Sequence, residues 1–185
     1  MKLRLEPVEF RHLKWLREQR NKREVMDFCR QPYFLNEINQ EDWMKEISRN
    51  RSMIPFIVVD TDLKDGENWV GYAAYSNIDW IARRGEISYF TSPAFKDKGY
   101  GIVAVALVIE YGFRRLGFQK INTDTFAFNE KEVLFMKGLG FKEEGRLSRH
   151  YFKRGKLQDS ICLAIFSEDV IYDPKDMKDP EMKSL

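Results

Sequence analysis

The pattern of apolar and polar positions begins with a short strand and two helices. Residues 2–5 alternate between polar and apolar side chains, which is the period of a strand with one buried face. Residues 10–16 carry apolar side chains at helical spacing and predict an amphipathic helix. Asn39 is a suitable N-cap, and the apolar side chains that follow it predict a second helix ending near Asn50.

The middle of the chain predicts a hairpin followed by a parallel crossover. Strands are expected over residues 55–59 and 69–75, and an Asp-Gly pair between them marks a turn. A further strand over residues 86–91 leads through a glycine-containing loop into an apolar helix over residues 102–116. The strand over residues 120–126 should then lie parallel to the preceding strand, because a helix joins the two.

The last third of the chain completes the predicted domain. Asn129 is the expected N-cap of a short helix, and two strands flank a turn at residues 153–156. Residues 172–185 have the composition of a disordered tail, so a single domain is expected over residues 1–171. Its predicted class is α/β (α+β), with a mixed, mostly antiparallel, twisted sheet of about seven strands and about four flanking helices.

Composition and charge narrow the class of protein. The chain has 185 residues, of which 43% are hydrophobic, enough for one buried core. Its 31 Lys and Arg nearly balance 29 Asp and Glu, so the net charge of +2 gives no reason to expect nucleic-acid binding. Residues 1–21 lack an apolar signal segment and residues 102–109 are too few to cross a membrane, so we expect a cytoplasmic protein without a membrane partner. Cys29 and Cys162 lack metal-ligand spacing, and no metal is expected.

The most informative motif lies where a loop becomes the apolar helix. Its sequence is Lys96-Asp97-Lys98-Gly99-Tyr100-Gly101, and Ile102 begins the apolar run. The first backbone N–H groups of a helix have no helical acceptor and lie at the positive end of the helix dipole. The loop therefore predicts a phosphate or pyrophosphate site formed by the backbone amides of residues 98–102.

This order of elements, with the glycine loop after the fourth strand, resembles the GNAT superfamily of acetyl-CoA-dependent N-acetyltransferases over about residues 2–171. The loop of that superfamily, Arg/Gln-x-x-Gly-x-Gly/Ala, corresponds to residues 96–101, with lysine in the first position. Asn129 followed by Gly140-Phe141 is a second match. Further short motifs resemble the RimJ/RimL-type branch, namely Arg20-Asn21, Cys29-Arg30-Gln31, Gln40 with Trp43, and Phe152-x-x-Gly155-x-x-x-Asp159.

The resemblance implies transfer of the acetyl group of acetyl-CoA directly to a primary amine. The acceptor stays open between a protein N-terminus and a small amine such as an amino-sugar nucleotide. The strand edge at Phe90 and Thr91, together with Asn129, is expected to bind the pantetheine arm and the thioester. Glu86 is the expected general base, because members of the superfamily carry glutamate there. A carboxylate in a central strand is also costly to bury unless it has a partner or a function.

Two positions leave the catalytic assignment incomplete. The structural alternative for Glu86 is an ion pair with Arg83, Arg84 or a basic residue late in the chain. Many members of the superfamily carry a tyrosine that protonates the departing thiolate at the position held here by Met136. The general acid therefore stays unassigned.

The residues expected to line the acceptor site are Arg20, Asn21, Arg30, Ser88 and His150. The first three belong to the early helices and their connection, which form one wall of the acceptor cleft in the superfamily. Ser88 shares the Glu86 face of its strand. The structural alternatives are an acid partner for Arg30, a buried position bonded to backbone for Ser88 and a partly exposed strand position for His150.

A basic cluster near the last hairpin has two interpretations. Its members are Arg146, Arg149, Lys153, Arg154 and Lys156. They either bind a nucleotide phosphate of the acceptor or form a solvated hairpin.

Two other functions fit some of the same residues. Gly99-x-Gly101-x-x-Ala104 with Asp124 about 20 residues later matches a dinucleotide-binding fingerprint, although the long loop and the neighbouring hairpins argue against it. The absence of the tyrosine at Met136 fits a catalytically weak acyl-CoA-binding or protein-interaction module on the same fold. A homodimer stays open, since the sequence does not separate an exposed apolar patch from core.

Overall fold

One twisted sheet organises the part of the chain that the computed structural model describes, residues 1–170. Its seven strands are β1 Leu3–Pro7, β2 Ile54–Asp60, β3 Trp69–Asp79, β4 Arg84–Thr91, β5 Lys120–Phe126, β6 Lys142–Lys153 and β7 Lys156–Phe166. Their order is β1-β2-β3-β4-β5-β7-β6, and every neighbouring pair is antiparallel except β4 with β5. This is the predicted mixed sheet, while the predicted tail over residues 172–185 lies outside the described residues.

Within residues 1–170, five α-helices flank the sheet, against about four predicted. They are α1 Leu13–Arg20, α2 Arg23–Met26, α3 Glu37–Ile47, α4 Tyr100–Glu110 and α5 Glu130–Gly138, with a π-helical turn over Tyr111–Arg115 after α4. The predicted N-cap at Asn39 is wrong, because Asn36 caps α3. The Asn36 side chain accepts from the Asn39 backbone N–H at 2.8 Å, and the Asn39 side chain accepts from the Asn36 N–H at 3.3 Å. In this reciprocal arrangement Asn39 is the third helical residue.

The helices cover both faces of the sheet. On one face, Leu13 and Leu16 of α1 pack with the buried residues Ile57 and Val59, and the half-buried Trp43 joins them as a packing residue. On the other face, α4 buries all its residues from 104 to 109. Of these residues, Ala104, Val105 and 107–109 share one core cluster with Ile87 and the half-buried Tyr89. Burial of each large apolar side chain contributes about 1.5–3 kcal/mol, so the sheet and α4 form a firm scaffold.

Strands β4 and β5 separate partway along their length. They pair only over residues 84–86 with residues 120–122. Beyond this point β4 stays with β3 up to Thr91, and β5 stays with β7 up to Phe126. We call the resulting V-shaped opening the split. Its β4 edge lacks a neighbouring strand, so the backbone groups that point into the split need another partner.

Candidate active site

The glycine loop forms an open cradle at the start of α4. Gly99 is the N-cap and has φ +83°, a left-handed conformation that glycine adopts without strain. Apart from Gly99 and its two chain neighbours, no atom of residues 1–170 lies within 4 Å of the position that a Cβ at Gly99 would occupy. The helix behind it has 11 residues, so its first N–H groups lie at the positive end of a developed dipole. An open helix N-terminus of this kind suits a pyrophosphate group, and the pyrophosphate site stays a prediction.

Tyr100 attaches the cradle to the sheet. Its hydroxyl donates to Oδ2 of the buried Asp60 at 2.7 Å. The other Asp60 oxygen accepts from the backbone N–H groups of Lys2 and Asp62, each at 3.1 Å. Burial alone would raise the pKa of Asp60, but these hydrogen bonds lower it overall. Burial and the bond to Asp60 raise the pKa of Tyr100 to about 12, so this phenol is held as a donor within the fold.

Three further residues predicted for the donor are Lys96, Lys98 and Asn129. Lys98 donates to the Ala94 carbonyl at 2.9 Å and closes the loop on itself, while Lys96 is exposed. Asn129 precedes α5 as predicted, but its side chain makes no capping hydrogen bond. Its carbonyl instead accepts from the N–H of Glu132 at 3.0 Å. The side-chain amide of Asn129 therefore does not cap α5.

Glu86 lies at the base of the split, in the last pair that joins β4 to β5. Its Oε1 accepts from Arg30 Nη2 at 2.6 Å, and its Oε2 accepts from Asn77 Nδ2 at 3.0 Å. The structural alternative for Glu86 is an ion pair with Arg83, Arg84 or a basic residue late in the chain. Glu86 does form an ion pair, but its partner is Arg30, and Arg84 lies 3.8 Å from Asp79 instead. The cation beside Glu86 is Arg30, which lies in the loop after α2, 56 residues before Glu86 in the sequence.

Arg30 connects the two sides of the split. It forms ion pairs with Glu86 on β4 and with Asp124 on β5. Its guanidinium also lies 5.4 Å from the centre of the Tyr151 ring, whose hydroxyl donates to Asp124 Oδ2 at 2.8 Å. Only 12% and 14% of the Glu86 and Asp124 side chains are exposed, against 42% for Arg30. Two shielded carboxylates thus share one more exposed cation, the acid pairing expected for Arg30 as a structural alternative.

Arg20 and Asn21 shape the segment that carries Arg30. Arg20 donates to the Gln31 side chain at 2.6 Å. Asn21 binds the Leu35 backbone in both directions, each time at 2.8 Å. These two predicted acceptor residues therefore fix the loop through their hydrogen bonds to Gln31 and Leu35.

Ser88 and His150 lie on the surface near the cluster formed by Arg30, Glu86 and Asp124. Ser88 is exposed, so its expected burial is wrong; the split leaves this part of β4 without a covering strand. His150 is an exposed strand residue, which was its structural alternative, and its ring lies 4.5 Å from that of Tyr151. Asp124 and Tyr151 were not predicted as site residues. The signal that could have found Asp124 is the strand period, which places it on the face of β5 that carries Asn122.

Several members of the basic cluster make contacts within the chain. Lys153 donates to the carbonyls of Met26 and Cys29 at 2.7 and 2.8 Å. Arg154 lies 4.2 Å from the centre of the Phe128 ring. Arg146 pairs with Asp159 at 2.8 Å. Lys153 thereby fastens the last hairpin to the loop that carries Arg30.

A second side-chain bond crosses the split on the opposite face. The Tyr89 hydroxyl of β4 lies 3.0 Å from each carboxyl oxygen of Glu132 in α5. Burial raises the pKa of Glu132, and burial together with the nearby carboxylate raises the pKa of Tyr89. Sequence reasoning missed this pair, because an acid in the first turn of a helix is ordinary. Met136, one turn later on α5, is fully buried.

No group of three or more His, Cys, Asp or Glu within residues 1–170 is arranged to hold a metal ion. None of the helices described there combines the length and the hydropathy needed to cross a membrane.

Comparison with curated proteins gives several distant relatives. The spermidine N(1)-acetyltransferase of Escherichia coli (strain K12) is 26% identical over 173 residues, which cover 94% of this chain and 90% of that protein. The Vibrio cholerae enzyme of the same name is 27% identical over 158 residues, or 85% of this chain and 88% of that protein. An uncharacterized N-acetyltransferase of Bacillus subtilis, YokL, is 27% identical over 71% of each chain.

Comparison with solved structures supports the fold, and a family model gives the family. Spermidine N-acetyltransferase from Vibrio cholerae, solved with CoA and spermine, superposes with a TM-score of 0.84 at 24% identity, over 91% of this chain and 97% of that one. These matches do not single out the RimJ/RimL-type branch. The sheet has a single parallel strand pair, whereas a dinucleotide-binding domain repeats such units, so the dinucleotide-binding alternative does not fit this fold. The model of the acetyltransferase (GNAT) domain matches residues 2–142, more than half of the chain. The chain therefore belongs to the GNAT acetyltransferase family and is an N-acetyltransferase.

Proposed function

We propose that this enzyme transfers the acetyl group of acetyl-CoA to a primary amine of a small, positively charged molecule. The observation that carries the proposal is the pair of shielded carboxylates, Glu86 and Asp124, which share a cation at the base of the split. Such a pair attracts an ammonium group. The names of the relatives support the same acceptor class, since spermidine is a small polyamine.

The proposed path of the donor begins at the cradle. Backbone amides of residues 98–102 would hold the pyrophosphate, and Lys96 and Lys98 would add positive charge near it. The position of a Cβ at Gly101 is 3.6 Å from Thr91 Oγ1, so the cradle lies beside the end of β4. The unpaired edge of β4 near Phe90 and Thr91 would bind the amides of the pantetheine arm as an added strand would be bound, with Asn129 on the other side.

The proposed chemistry uses Glu86 at the end of this path. The amine lone pair attacks the thioester carbonyl carbon, and an amine that arrives as ammonium must first lose a proton. Glu86 accepts that proton directly or through water. Arg30 occupies the space between the two carboxylates in this structure, and its side chain, 42% exposed, has room to turn toward solvent and yield to an acceptor cation.

The acceptor proposal is tested by measuring CoA thiol release from acetyl-CoA. The amines are spermidine, spermine, an amino-sugar nucleotide and a peptide with a free N-terminus. Turnover with the polyamines is the expected result, whereas turnover with the peptide alone would overturn the acceptor class. Saturable acetyl-CoA binding with no turnover for any amine would favour the acyl-CoA-binding alternative.

The role of Glu86 is tested by Glu86→Gln, which keeps the shape of the side chain but removes its basicity. Loss of a general base should lower kcat by about 10²–10⁴-fold. The Kd for acetyl-CoA, measured by calorimetry, should not change, since the cradle is untouched. Glu143→Gln is a matched control, because this exposed carboxylate pairs with Lys137 away from the split. Wild-type turnover in Glu86→Gln would remove Glu86 from the proposed role.

A further inference from the structure

Tyr89 and Glu132 form a half-buried pair that the chemistry above does not use. Tyr89 belongs to β4 beyond the last residue paired with β5, and Glu132 belongs to the first turn of α5, just after β5. Their bond therefore crosses the split. Glu86 and Tyr89 are three residues apart on one strand, so they point to opposite faces of the sheet. Arg30 crosses the split on one face, and the Tyr89–Glu132 pair crosses it on the other.

The pair lies on the face from which the donor would arrive. Tyr89 packs against the core cluster that contains the buried residues of α4, and the cradle lies at the start of the same helix. The Tyr89 ring is 6.1 Å from that of Phe135, which helps to hold the hydroxyl in place. On the proposed path, a pantetheine arm that runs from the cradle into the split passes on the Tyr89 side of β4.

Three other tyrosines near this region are committed elsewhere. The Tyr100 hydroxyl donates to Asp60, and the Tyr151 hydroxyl donates to Asp124 on the opposite face. Tyr111 packs edge to face on Phe56, with 4.9 Å between the ring centres. Met136 lies one helical turn after Glu132 on the same side of α5, and its thioether has no proton to give.

We infer that the Tyr89 hydroxyl protonates the CoA thiolate as it leaves, and that Glu132 returns a proton to Tyr89. This inference rests on the proposed path of the donor. As the amine nitrogen bonds to the carbonyl carbon, the carbon–sulfur bond breaks and its electron pair goes to sulfur. Sulfur takes the proton of Tyr89, and Tyr89 takes the proton of the Glu132 carboxyl. Glu132 is reprotonated from water. The nitrogen loses two protons, one from the ammonium before it attacks and one as the amide forms, and Glu86 passes each of them to water in turn. Each turnover on an ammonium substrate therefore releases one proton net.

The environment of Glu132 suits this role. Its raised pKa, caused by burial, favours a carboxyl that keeps its proton closer to neutral pH than an exposed glutamate does. A phenol that gave up its proton beside a carboxylate would place two negative charges together in a partly buried site, which is unfavourable. With a protonated Glu132, the relay leaves a neutral phenol and a single carboxylate.

The experiment compares Glu132→Gln with Tyr89→Phe in single-turnover measurements of thiol release with spermidine. Glutamine still accepts a hydrogen bond from Tyr89 but holds no acidic proton. If the bond between Tyr89 and Glu132 has only a structural role, Glu132→Gln therefore preserves it. Both variants should lower the single-turnover rate by about 10²-fold, with little change in acetyl-CoA Kd or acceptor KM. Tyr111→Phe is the matched control and should keep the wild-type rate.

The outcomes separate this inference from the proposed function. If Glu132→Gln reacts within about threefold of the wild-type rate, the relay is overturned while the acetyltransferase function stands. A Tyr89→Phe variant that retains the wild-type rate overturns the role of the phenol in the same way. If the wild-type protein acetylates none of the amines, the proposed function has failed first, and the relay fails with it.

Discussion

Gly112 offers a sharp test of the packing that supports α4. A Cβ at this position would lie 2.1 Å from the Tyr75 hydroxyl oxygen and 3.0 Å from Cδ1 of Ile121. Both neighbours are fully buried, and the Tyr75 hydroxyl donates to the Val108 carbonyl at 2.7 Å. The ring therefore cannot move away from an added methyl group without losing a buried hydrogen bond.

The expected cost of Gly112→Ala follows from these contacts. Overpacking costs about 1–3 kcal/mol and a broken buried hydrogen bond about 1–3 kcal/mol, while alanine regains about 1 kcal/mol of helix propensity. The free energy of unfolding should therefore fall by about 1–5 kcal/mol. For a chain of this size, each kcal/mol lowers Tm by about 2–4 °C.

Thermal unfolding followed by circular dichroism measures this effect. Gly138→Ala is the matched control, since nothing lies within 4 Å of a Cβ at that position in the last turn of α5. Tyr75→Phe combined with Gly112→Ala should be less destabilised than the sum of the two single changes, because removing the hydroxyl removes the 2.1 Å contact. Equal Tm values for Gly112→Ala and Gly138→Ala would refute the reasoning.

Three further predictions concern the cradle, the carboxylate pair and pH. Tyr100→Phe removes a hydrogen bond to a charged group worth about 1.5–3 kcal/mol, and calorimetry should show weaker acetyl-CoA binding; an unchanged Kd would contradict an anchoring role. Arg30→Gln removes the cation that competes with the acceptor, so the KM for spermidine should fall, and a higher KM would instead indicate that Arg30 helps bind it. His12 is buried and burial lowers its pKa below 6.5, so below that pH the unfolded chain binds more protons than the folded one. Stability measured by thermal unfolding should therefore fall as pH drops below 6.5, and His12→Asn should remove that slope.

Local patterns carried most of the fold prediction. The strand over residues 120–126 was predicted with the bounds of β5, because its ends are marked by a glycine stop and by the next N-cap. The α3 cap was misplaced by three residues, since both Asn36 and Asn39 are good capping residues and only the entry angle of the chain decides between them.

The candidate site was harder to predict because its contacts join distant segments. The pairing of Arg30 with Glu86 depends on how an irregular loop folds over the sheet, which no period in the sequence records. The exposure of Ser88 follows from the split, and the sequence pattern of β4 resembles that of a strand paired on both sides. In the sequence, Glu132 is an ordinary acid in the first turn of a helix, and its contact with Tyr89, 43 residues away, is visible only in the structure.

The split also makes the sheet incomplete without its donor. Strands β1 to β4 and strands β5 to β7 share only the short ladder of residues 84–86 with residues 120–122. A molecule that fills the opening supplies the missing strand, and at one hundred times its Kd it adds about 2.7 kcal/mol to the free energy of unfolding. The lifetime of the enzyme in a cell would then depend on the concentration of its donor. Without bound donor, the enzyme would unfold more often and be degraded sooner than the donor-bound form.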